Sequence, residues 1–172
     1  MQESSHNPTQ TNVTNTKTDE QLHGHRFVEM SGLRFERHFS NPQTHPFDEV
    51  NWIKRDARIL DEEGNVVFEQ NDVEAPESWS QLAMDIVASK YFRKAGVPGT
   101  GHETSVKQVL HRIVHTLRTA GEERGGYFAS AADADTFEDE LTYLMLNQMG
   151  AFNSPVWFNV GLGAQYGVDP LV

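Results

Sequence analysis

Residues 140–163, ELTYLMLNQMGAFNSPVWFNVGLG, join the end of an amphipathic helix to a long apolar run, and the interpretation of the whole chain depends on them. The helix is indicated by apolar side chains at helical spacing, namely Phe137, Leu141, Leu144 and Met145. Gly150 can adopt the left-handed backbone that commonly ends a helix. Because Pro155 disfavours helical backbone at Ser154, we predict that the run 151–160 continues as a buried strand.

Two polar residues in this run, Asn153 and Ser154, are candidates for a binding role. A buried amide or hydroxyl must find a hydrogen-bond partner, because leaving it unpaired costs free energy. In one interpretation these side chains satisfy the backbone of a turn around Pro155. In the other they face a ligand, and the residues alone leave both interpretations open.

The composition limits the kinds of function that the chain can have. Its 172 residues contain no cysteine, which excludes disulfides, thiolate metal sites and thiyl-radical or thiol-redox chemistry within this chain. The formal net charge of −11 argues against binding to DNA or to an anionic membrane surface. The sequence contains no apolar run of about 18 residues, as a membrane span requires, and no signal peptide. We therefore expect a cytoplasmic protein with no DNA and no membrane partner.

The first 25 residues are predicted to be a disordered tail, since they are rich in Gln, Asn, Thr, Ser and His and offer almost nothing to bury. His23 and His25 in this tail lack further ligands, so we interpret them as solvated rather than metal-binding.

Residues 26–76 are predicted to hold a surface arm followed by a β-hairpin. Two short strand-like runs, 57–60 and 66–69, flank a connection with glycine near its end, which suits a hairpin loop. An isolated two-stranded hairpin is marginal in water, so it needs a surface to lie on.

Residues 77–150 are predicted to form a domain of three helices. The first helix has Ser78 as its N-cap in a capping box with Gln81, and the second has Ser105 paired with Gln108. Both helices carry one apolar stripe. The stripe residues are Trp79, Leu82, Ala83, Ile86 and Val87 in the first helix, and Val106, Val109, Leu110, Ile113, Val114 and Leu117 in the second.

Several clusters of polar side chains on these helices are candidate ion-binding sites. We predict no metal site and no catalytic residue among them. His111 and His115 share a helix face, but no cysteine or positioned carboxylate completes a site, so we predict solvated histidines. The third helix begins near Ser130 or Asp133, and the acids that follow suit the positive end of its dipole and predict a solvated face. These acids are Asp133, Asp135, Glu138, Asp139 and Glu140. The cations that end the first helix either complement its dipole or bind phosphate, and they are Lys90, Arg93 and Lys94.

Several long phrases of the sequence resemble one enzyme family. AFNSPVWFNVGL at 151–162 is similar to the entry into the barrel of the adenosylcobalamin-dependent, class II (vitamin B12-dependent) ribonucleotide reductases. The resemblance continues upstream in the same order through HPFDEVNWIKRDARI, NVVFEQNDVEAPESWSQLAMDIVASKYFRKAG and ETSVKQVLHRIVHTL, and it spans residues 34–167.

The resemblance implies a mainly α fold: a three-helix N-terminal region with a small β-hairpin, leading into the first strand of an α/β ten-stranded barrel that is absent from this chain. Residues 151–172 would be the truncated start of that barrel. We therefore expect the chain to be incomplete, and its end, DPLV at 169–172, departs from the family's continuation.

The family reduces ribonucleotides to deoxyribonucleotides for DNA synthesis with a thiyl radical that adenosylcobalamin initiates. The resemblance implies that this chain is the N-terminal segment of such a reductase, with a ribonucleotide substrate, taken here as a diphosphate, and a thiol reductant. The barrel portion, in cis or as a separate chain, holds the catalytic cysteines and the adenosylcobalamin. We therefore expect this chain alone to bind no cobalamin and to be inactive.

Site residues follow from the same resemblance. Ser154 matches the hydroxyl residue that helps to hold the substrate phosphate in the family's first-strand motif, and Asn153 lies beside it. The alternative hypothesis is a small α-helical interaction or regulatory module without catalytic activity. A stand-alone enzyme that uses the histidines or the acidic cluster is disfavoured.

Overall fold

A two-stranded antiparallel hairpin packs against a set of helices in the computed structural model, which describes residues 32–168. The strands are β1 (Trp52–Leu60) and β2 (Val66–Pro76), preceded by a short 3-10 helix (Pro46–Asp48). The helices are α1 (Gln81–Ile86), which continues into a π-helical segment (Val87–Tyr91), α2 (Val106–Glu123), α3 (Ala131–Leu146), α4 (Ser154–Asn159) and α5 (Leu162–Tyr166). The predicted tail with His23 and His25 lies outside the described residues, as does the end of the chain at 169–172.

The predicted hairpin is confirmed, and both of its strands are longer than the sequence indicated. The register pairs Trp52 with Pro76 at one end and Leu60 with Val66 at the other. One face of the hairpin is covered by the helices, which gives it the surface that an isolated pair of strands lacks. Its fully buried residues are Ala57, Val73 and Ala75.

Helix α2 forms as predicted and supplies the centre of the core. The capping box of Ser105 and Gln108 is present in full. The apolar stripe of α2 faces β2, α3, α4 and α5. Its buried members are Val106, Val109, Leu110, Ile113 and Val114. No helix within residues 32–168 is both long and apolar enough to cross a membrane.

The prediction for α1 is wrong in its cap and in part of its buried face. Ser80, rather than Ser78, is the N-cap, and its Oγ accepts the N–H of Ala83 at 3.1 Å. Leu82 and Ile86 were expected in the buried stripe, but they are 66% and 41% exposed. The buried residues of this segment are Met84, Val87 and Ala88. The buried face is thus offset by about one residue from the predicted one, and it continues into the π-helical turn.

The predicted strand over 151–160 is wrong, and so is the three-helix fold class that led into it. The run instead contains α4, and α5 follows closely, so residues 32–168 hold more than three α-helices. Pro155 lies in the first turn of α4, where proline is favoured because its fixed φ suits a helix and its missing N–H is not needed. The sheet of the described residues has two strands, β1 and β2. A third strand at 151–160 would find no partner there, whereas a helix satisfies its backbone locally.

Helix α3 starts where the sequence predicted but ends differently. Ser130 is the N-cap, and its Oγ accepts the N–H of Asp133 at 3.2 Å. The helix ends at Leu146, and Gln148, with a φ of 56°, takes the left-handed backbone that was expected of Gly150.

The acidic face of α3 holds the N-terminal arm, where the sequence predicted only solvated side chains. The Glu140 carboxylate accepts the backbone N–H groups of His38, Phe39 and Ser40 at 3.1, 3.1 and 2.8 Å. It also accepts the Ser40 hydroxyl at 2.6 Å. Further contacts between arm and helix join Phe35 N–H to Asp133 at 2.8 Å and Arg37 to Asp139 at 2.7 Å.

We expect Glu140→Gln to free the arm while leaving the helices folded. Partial burial by itself raises the pKa of Glu140, but hydrogen bonds from Ser40, His38 and Phe39 outweigh it, so the pKa lies below the ordinary value of 4.5. The carboxylate therefore contributes fully to attachment above about pH 4.5, and the contribution is lost as the pH falls through the lowered pKa.

Amide hydrogen exchange at Phe39 and Ser40 measures this attachment. Protection in the unaltered chain should fall at low pH, whereas the Glu140→Gln variant should be weakly protected at every pH. Asp135→Asn is the control, because Asp135 lies on the same helix but pairs with Arg118. Equal protection in the Glu140→Gln variant and the unaltered chain would contradict the assignment.

Candidate functional site

The predicted site residues lie at the surface where α4 begins. Asn153 is the N-cap of α4, although its side chain makes no capping hydrogen bond, and Ser154 is the first residue of the helix. Both residues are exposed. The Ser154 Oγ lies 3.3 Å from the Oη of Tyr91, the last residue of the π-helical segment. The fold thus brings together two hydroxyl groups that are 63 residues apart in the sequence.

Aromatic packing fixes the position of Tyr91 beside α4. Its ring centroid lies 5.5 Å from that of Trp157 and 5.4 Å from that of Phe158. Trp157 is buried, and its indole N–H donates to the carbonyl oxygen of Phe152 at 2.9 Å. Phe158 is 44% exposed, so it extends the surface next to the two hydroxyls.

A buried ion pair lies beneath this surface. Arg112 of α2 and Glu103 are 1% and 0% exposed, and the Arg112 Nε donates to Glu103 Oε1 at 2.7 Å. The guanidinium also donates to the carbonyl oxygens of Trp157 and Val160, both at 2.8 Å, and to that of Tyr91 at 3.3 Å. One side chain of α2 therefore holds the end of α4 and the end of the π-helical segment together.

The Glu103 carboxylate accepts hydrogen bonds from other residues as well. Its Oε1 accepts the Tyr166 hydroxyl of α5 at 2.8 Å, and its Oε2 accepts the backbone N–H of Arg93 at 2.7 Å. Burial raises the pKa of the Tyr166 hydroxyl well above its usual range, and the charge of Glu103 raises it further. Tyr166 therefore stays protonated and donates at physiological pH.

Gly161 lets the chain between α4 and α5 pass directly over α2. Its φ is +84°, and a Cβ at this position would lie 2.1 Å from the backbone oxygen of Arg112. A side chain has no room there, because backbone atoms cannot rotate away. The close approach keeps α5, with Tyr166, within reach of the buried ion pair.

The two histidines of α2 stack on each other, and one of them contacts a carboxylate. The rings of His111 and His115 stack with centroids 5.0 Å apart, and the His115 Nδ1 lies 3.0 Å from Glu138 Oε1. Burial and the neighbouring His115 lower the pKa of His111. A carboxylate does face the pair, but no group of three metal-ligating side chains occurs within residues 32–168.

The cations that end the first helix are mostly engaged within the fold. The Lys94 ammonium donates to the carbonyl oxygen of Ala88 and lies 4.3 Å from the ring centroid of Phe68. Burial lowers the pKa of Lys94, although the charge of Glu103 partly opposes this. The Arg93 Nε donates to the carbonyl oxygen of Ala95 at 2.8 Å. These contacts favour the interpretation of Arg93 and Lys94 as helix-end cations.

Comparison with known proteins identifies the family. The profile described as "Class II vitamin B12-dependent ribonucleotide reductase" matches residues 53–148, more than half of the chain. The chain belongs to this family. Its resemblance to the N-terminal region of class II ribonucleotide reductases, predicted from the sequence, is thereby confirmed.

Curated relatives carry the same description. A vitamin B12-dependent ribonucleotide reductase from Streptomyces coelicolor is 54% identical over 132 residues, which is 76% of this chain and 13% of that protein. One from Rhodopirellula baltica is 48% identical over 140 residues, covering 81% of this chain and 13% of the relative. One from Agrobacterium fabrum is 35% identical and covers 80% of this chain and 13% of the relative. The class II reductase chain described here thus spans about an eighth of the length of the curated relatives it matches.

Several residues that build this region of the reductase were missed by the sequence analysis. Charged residues are expected to be exposed, so neither Arg112 nor Glu103 was considered as a buried group. One weak signal was available, because Arg112 lies three residues after Val109 and therefore borders the apolar stripe of α2. Nothing in the sequence pairs Tyr91 with Ser154, since their contact depends on the tertiary fold.

Proposed function

We propose that this chain is the N-terminal segment of an enzyme that reduces ribonucleotides to deoxyribonucleotides for DNA synthesis in the cytoplasm. The observation that carries the proposal is the family match over residues 53–148, together with 54% identity to a relative named as a vitamin B12-dependent ribonucleotide reductase. The substrate is a ribonucleoside diphosphate, and the reaction replaces its 2′-hydroxyl with hydrogen by radical chemistry that adenosylcobalamin initiates. A thiol reductant restores the enzyme.

The cofactor belongs to the remainder of the reductase. Residues 32–168 contain no group of three metal-ligating side chains. The chain also has no cysteine to carry a thiyl radical. We therefore propose that the chain is inactive until it is joined, in cis or as a separate subunit, to the barrel portion.

The contribution of this chain is to hold the substrate phosphate through Ser154 and Asn153. Both side chains are exposed at the start of α4, so an approaching ligand can reach them. A serine hydroxyl and an asparagine amide donate well to phosphate oxygen atoms. Residues 141–168 contain no charged side chain, so no carboxylate on this segment repels an anion.

The proposal is tested by Ser154→Ala in a chimera in which residues 32–168 replace the matching region of the Streptomyces coelicolor reductase. A hydrogen bond to a charged group is worth about 1.5–3 kcal/mol, so kcat/KM should fall roughly ten- to a hundredfold. Thermal melting should change little, because Ser154 is exposed and its loss opens no cavity in the core.

Ser130→Ala is a suitable control, because Ser130 is also an exposed serine at the start of a helix. Ser130 caps α3 and is not part of the candidate site at the start of α4. Loss of its cap should cost about 1 kcal/mol of stability and leave kcat/KM close to that of the unaltered chimera. The opposite pattern at Ser154, a loss of stability with unchanged kinetics, would make Ser154 a structural residue and would contradict its proposed role.

A further inference from the structure

We infer that Tyr91 is a second hydroxyl donor to the phosphate group that Ser154 binds, an inference that rests on the proposed function of Ser154. The Tyr91 Oη and the Ser154 Oγ are 3.3 Å apart. At this separation both groups can turn a proton towards the oxygen atoms of one phosphate, since the position of a hydroxyl hydrogen adjusts to its partner. Tyr91 and Ser154 together therefore form a two-donor site, called the hydroxyl pair below.

Contacts of both its backbone and its ring fix the position of Tyr91. Its carbonyl oxygen accepts the Arg112 guanidinium at 3.3 Å, and its ring packs against Trp157 and Phe158. Arg112 also holds the carbonyl oxygen of Trp157, one turn after Ser154. The same buried group thus sets the positions of both members of the hydroxyl pair. A pair that is already in place loses little conformational entropy when a ligand binds.

The backbone around Tyr91 is unusual in a way that supports a binding role. Residues Val87–Tyr91 form a π-helical segment at the end of α1, and Tyr91 is its last residue. Such segments are rare and occur frequently at functional sites. The wider turn places Tyr91 against α4, where its hydroxyl meets that of Ser154.

The charges near the hydroxyl pair favour an anion. The whole chain carries a formal net charge of −11, yet residues 141–168 are free of charged side chains. A carboxylate beneath this region, Glu103, is fully buried and paired with Arg112. Lys90, directly before Tyr91, is exposed and adds a positive charge. The surface around the hydroxyl pair is therefore less negative than the chain as a whole, as a phosphate site requires.

The test is a double-mutant cycle on the 172-residue chain with inorganic pyrophosphate as the probe. Titration is followed by the backbone amide NMR signals of residues 156–158. Tyr91→Phe keeps the ring and its packing but removes the hydroxyl, and it should weaken pyrophosphate binding about tenfold or more. Ser154→Ala should have an effect of similar size. If both hydroxyls donate directly, Tyr91→Phe should also weaken binding in the Ser154→Ala background.

Tyr143→Phe is the matched control, because it removes a tyrosine hydroxyl from α3, where the ring stacks on Phe39. Its pyrophosphate affinity should equal that of the unaltered chain. Unchanged affinity in Tyr91→Phe, with weakened affinity in Ser154→Ala, would overturn the inference about Tyr91 and leave the role of Ser154 intact. A Tyr91→Phe effect that vanishes in the Ser154→Ala background would also overturn it, since Tyr91 would then only orient Ser154.

Two further outcomes concern the site as a whole. Unchanged affinity in Ser154→Ala would contradict the proposed function of Ser154 itself. If the unaltered chain binds no pyrophosphate at millimolar concentrations, the hydroxyl pair is not a phosphate site and the inference is overturned. Melting temperatures of all variants are measured alongside. Tyr91→Phe should melt with the unaltered chain because its ring packing is kept, and a marked drop would overturn the inference by making the Tyr91 hydroxyl a structural group.

Discussion

Replacing Arg112 with alanine is expected to lower the free energy of unfolding by about 3–5 kcal/mol. The substitution leaves the Glu103 carboxylate buried without its counter-charge, because both side chains are almost completely inaccessible. It also removes the donor to the carbonyl oxygens of Trp157 and Val160. Urea unfolding followed by tryptophan fluorescence measures the loss through the shift in the denaturation midpoint.

Arg58→Ala provides the matched control. Arg58 also pairs with a glutamate, Glu69, but the two side chains are 55% and 46% exposed, so the loss should be below about 1 kcal/mol. Combining Arg112→Ala with Glu103→Gln should recover part of the loss, because no charge is then left buried. Equal losses for Arg112→Ala and Arg58→Ala would show that the pair of Arg112 and Glu103 is not desolvated.

Gly161→Ala should also destabilise the chain strongly, by about 3 kcal/mol. The left-handed backbone at a φ of +84° costs a residue with a Cβ roughly 1–2 kcal/mol. The added methyl group would also lie 2.1 Å from the backbone oxygen of Arg112, and relieving such overpacking typically costs about 1–3 kcal/mol. Thermal or urea unfolding of the variant checks the prediction.

Gly163→Ala is the control for this substitution. Gly163 lies within α5, and the nearest atom to an added Cβ is the Val168 oxygen at 3.8 Å, an ordinary contact. Alanine is preferred over glycine in a helix by about 1 kcal/mol, so this variant should be slightly more stable than the unaltered chain. If Gly161→Ala were as stable as Gly163→Ala, the close contact between Gly161 and the backbone of α2 would be contradicted.

The sequence predicts α2 well because two independent signals agree there. The capping box of Ser105 and Gln108 marks the first turn, and the apolar side chains repeat at helical spacing along a single face. At α1 the signals conflict, since Ser78 and Ser80 are both good caps and Gln81 lies three residues after the first of them. The cap does not decide the buried face, because residues keep their relative angular positions wherever a helix begins. Leu82 and Ile86 were placed in the core from their apolar character, and they are exposed instead.

The error at 151–160 has a different origin. A short apolar run that contains proline is compatible with a buried strand or with the first turn of a helix, and periodicity does not separate the two. The restriction that Pro155 places on the residue before it applies at a helix start as well, where that residue need not be fully helical. The presence or absence of a partner strand decides between these conformations, and that information is not local.

Contacts across the fold could not be predicted because they join residues far apart in the sequence. Glu140 binds backbone groups about 100 residues away, and Ser154 meets Tyr91 at a separation of 63. Acids on a helix face usually remain solvated, so the prediction for Glu140 followed the common case. The family resemblance identified Ser154 as a candidate, but it gave no indication of the hydroxyl beside it.

The position of Arg112 has a consequence for how the chain is made. The carbonyl oxygens of Trp157 and Val160 lie 45 and 48 residues after Arg112, and Tyr166 lies 63 residues after Glu103. At a synthesis rate of 5–20 residues per second, the later residues leave the ribosome about 2–10 seconds after α2. During this interval Arg112 and Glu103 can pair with each other. Their other hydrogen-bonding groups must bind water until the later residues arrive. The nascent chain can therefore complete the hydrogen bonds of this buried ion pair only after α4 and α5 have been translated.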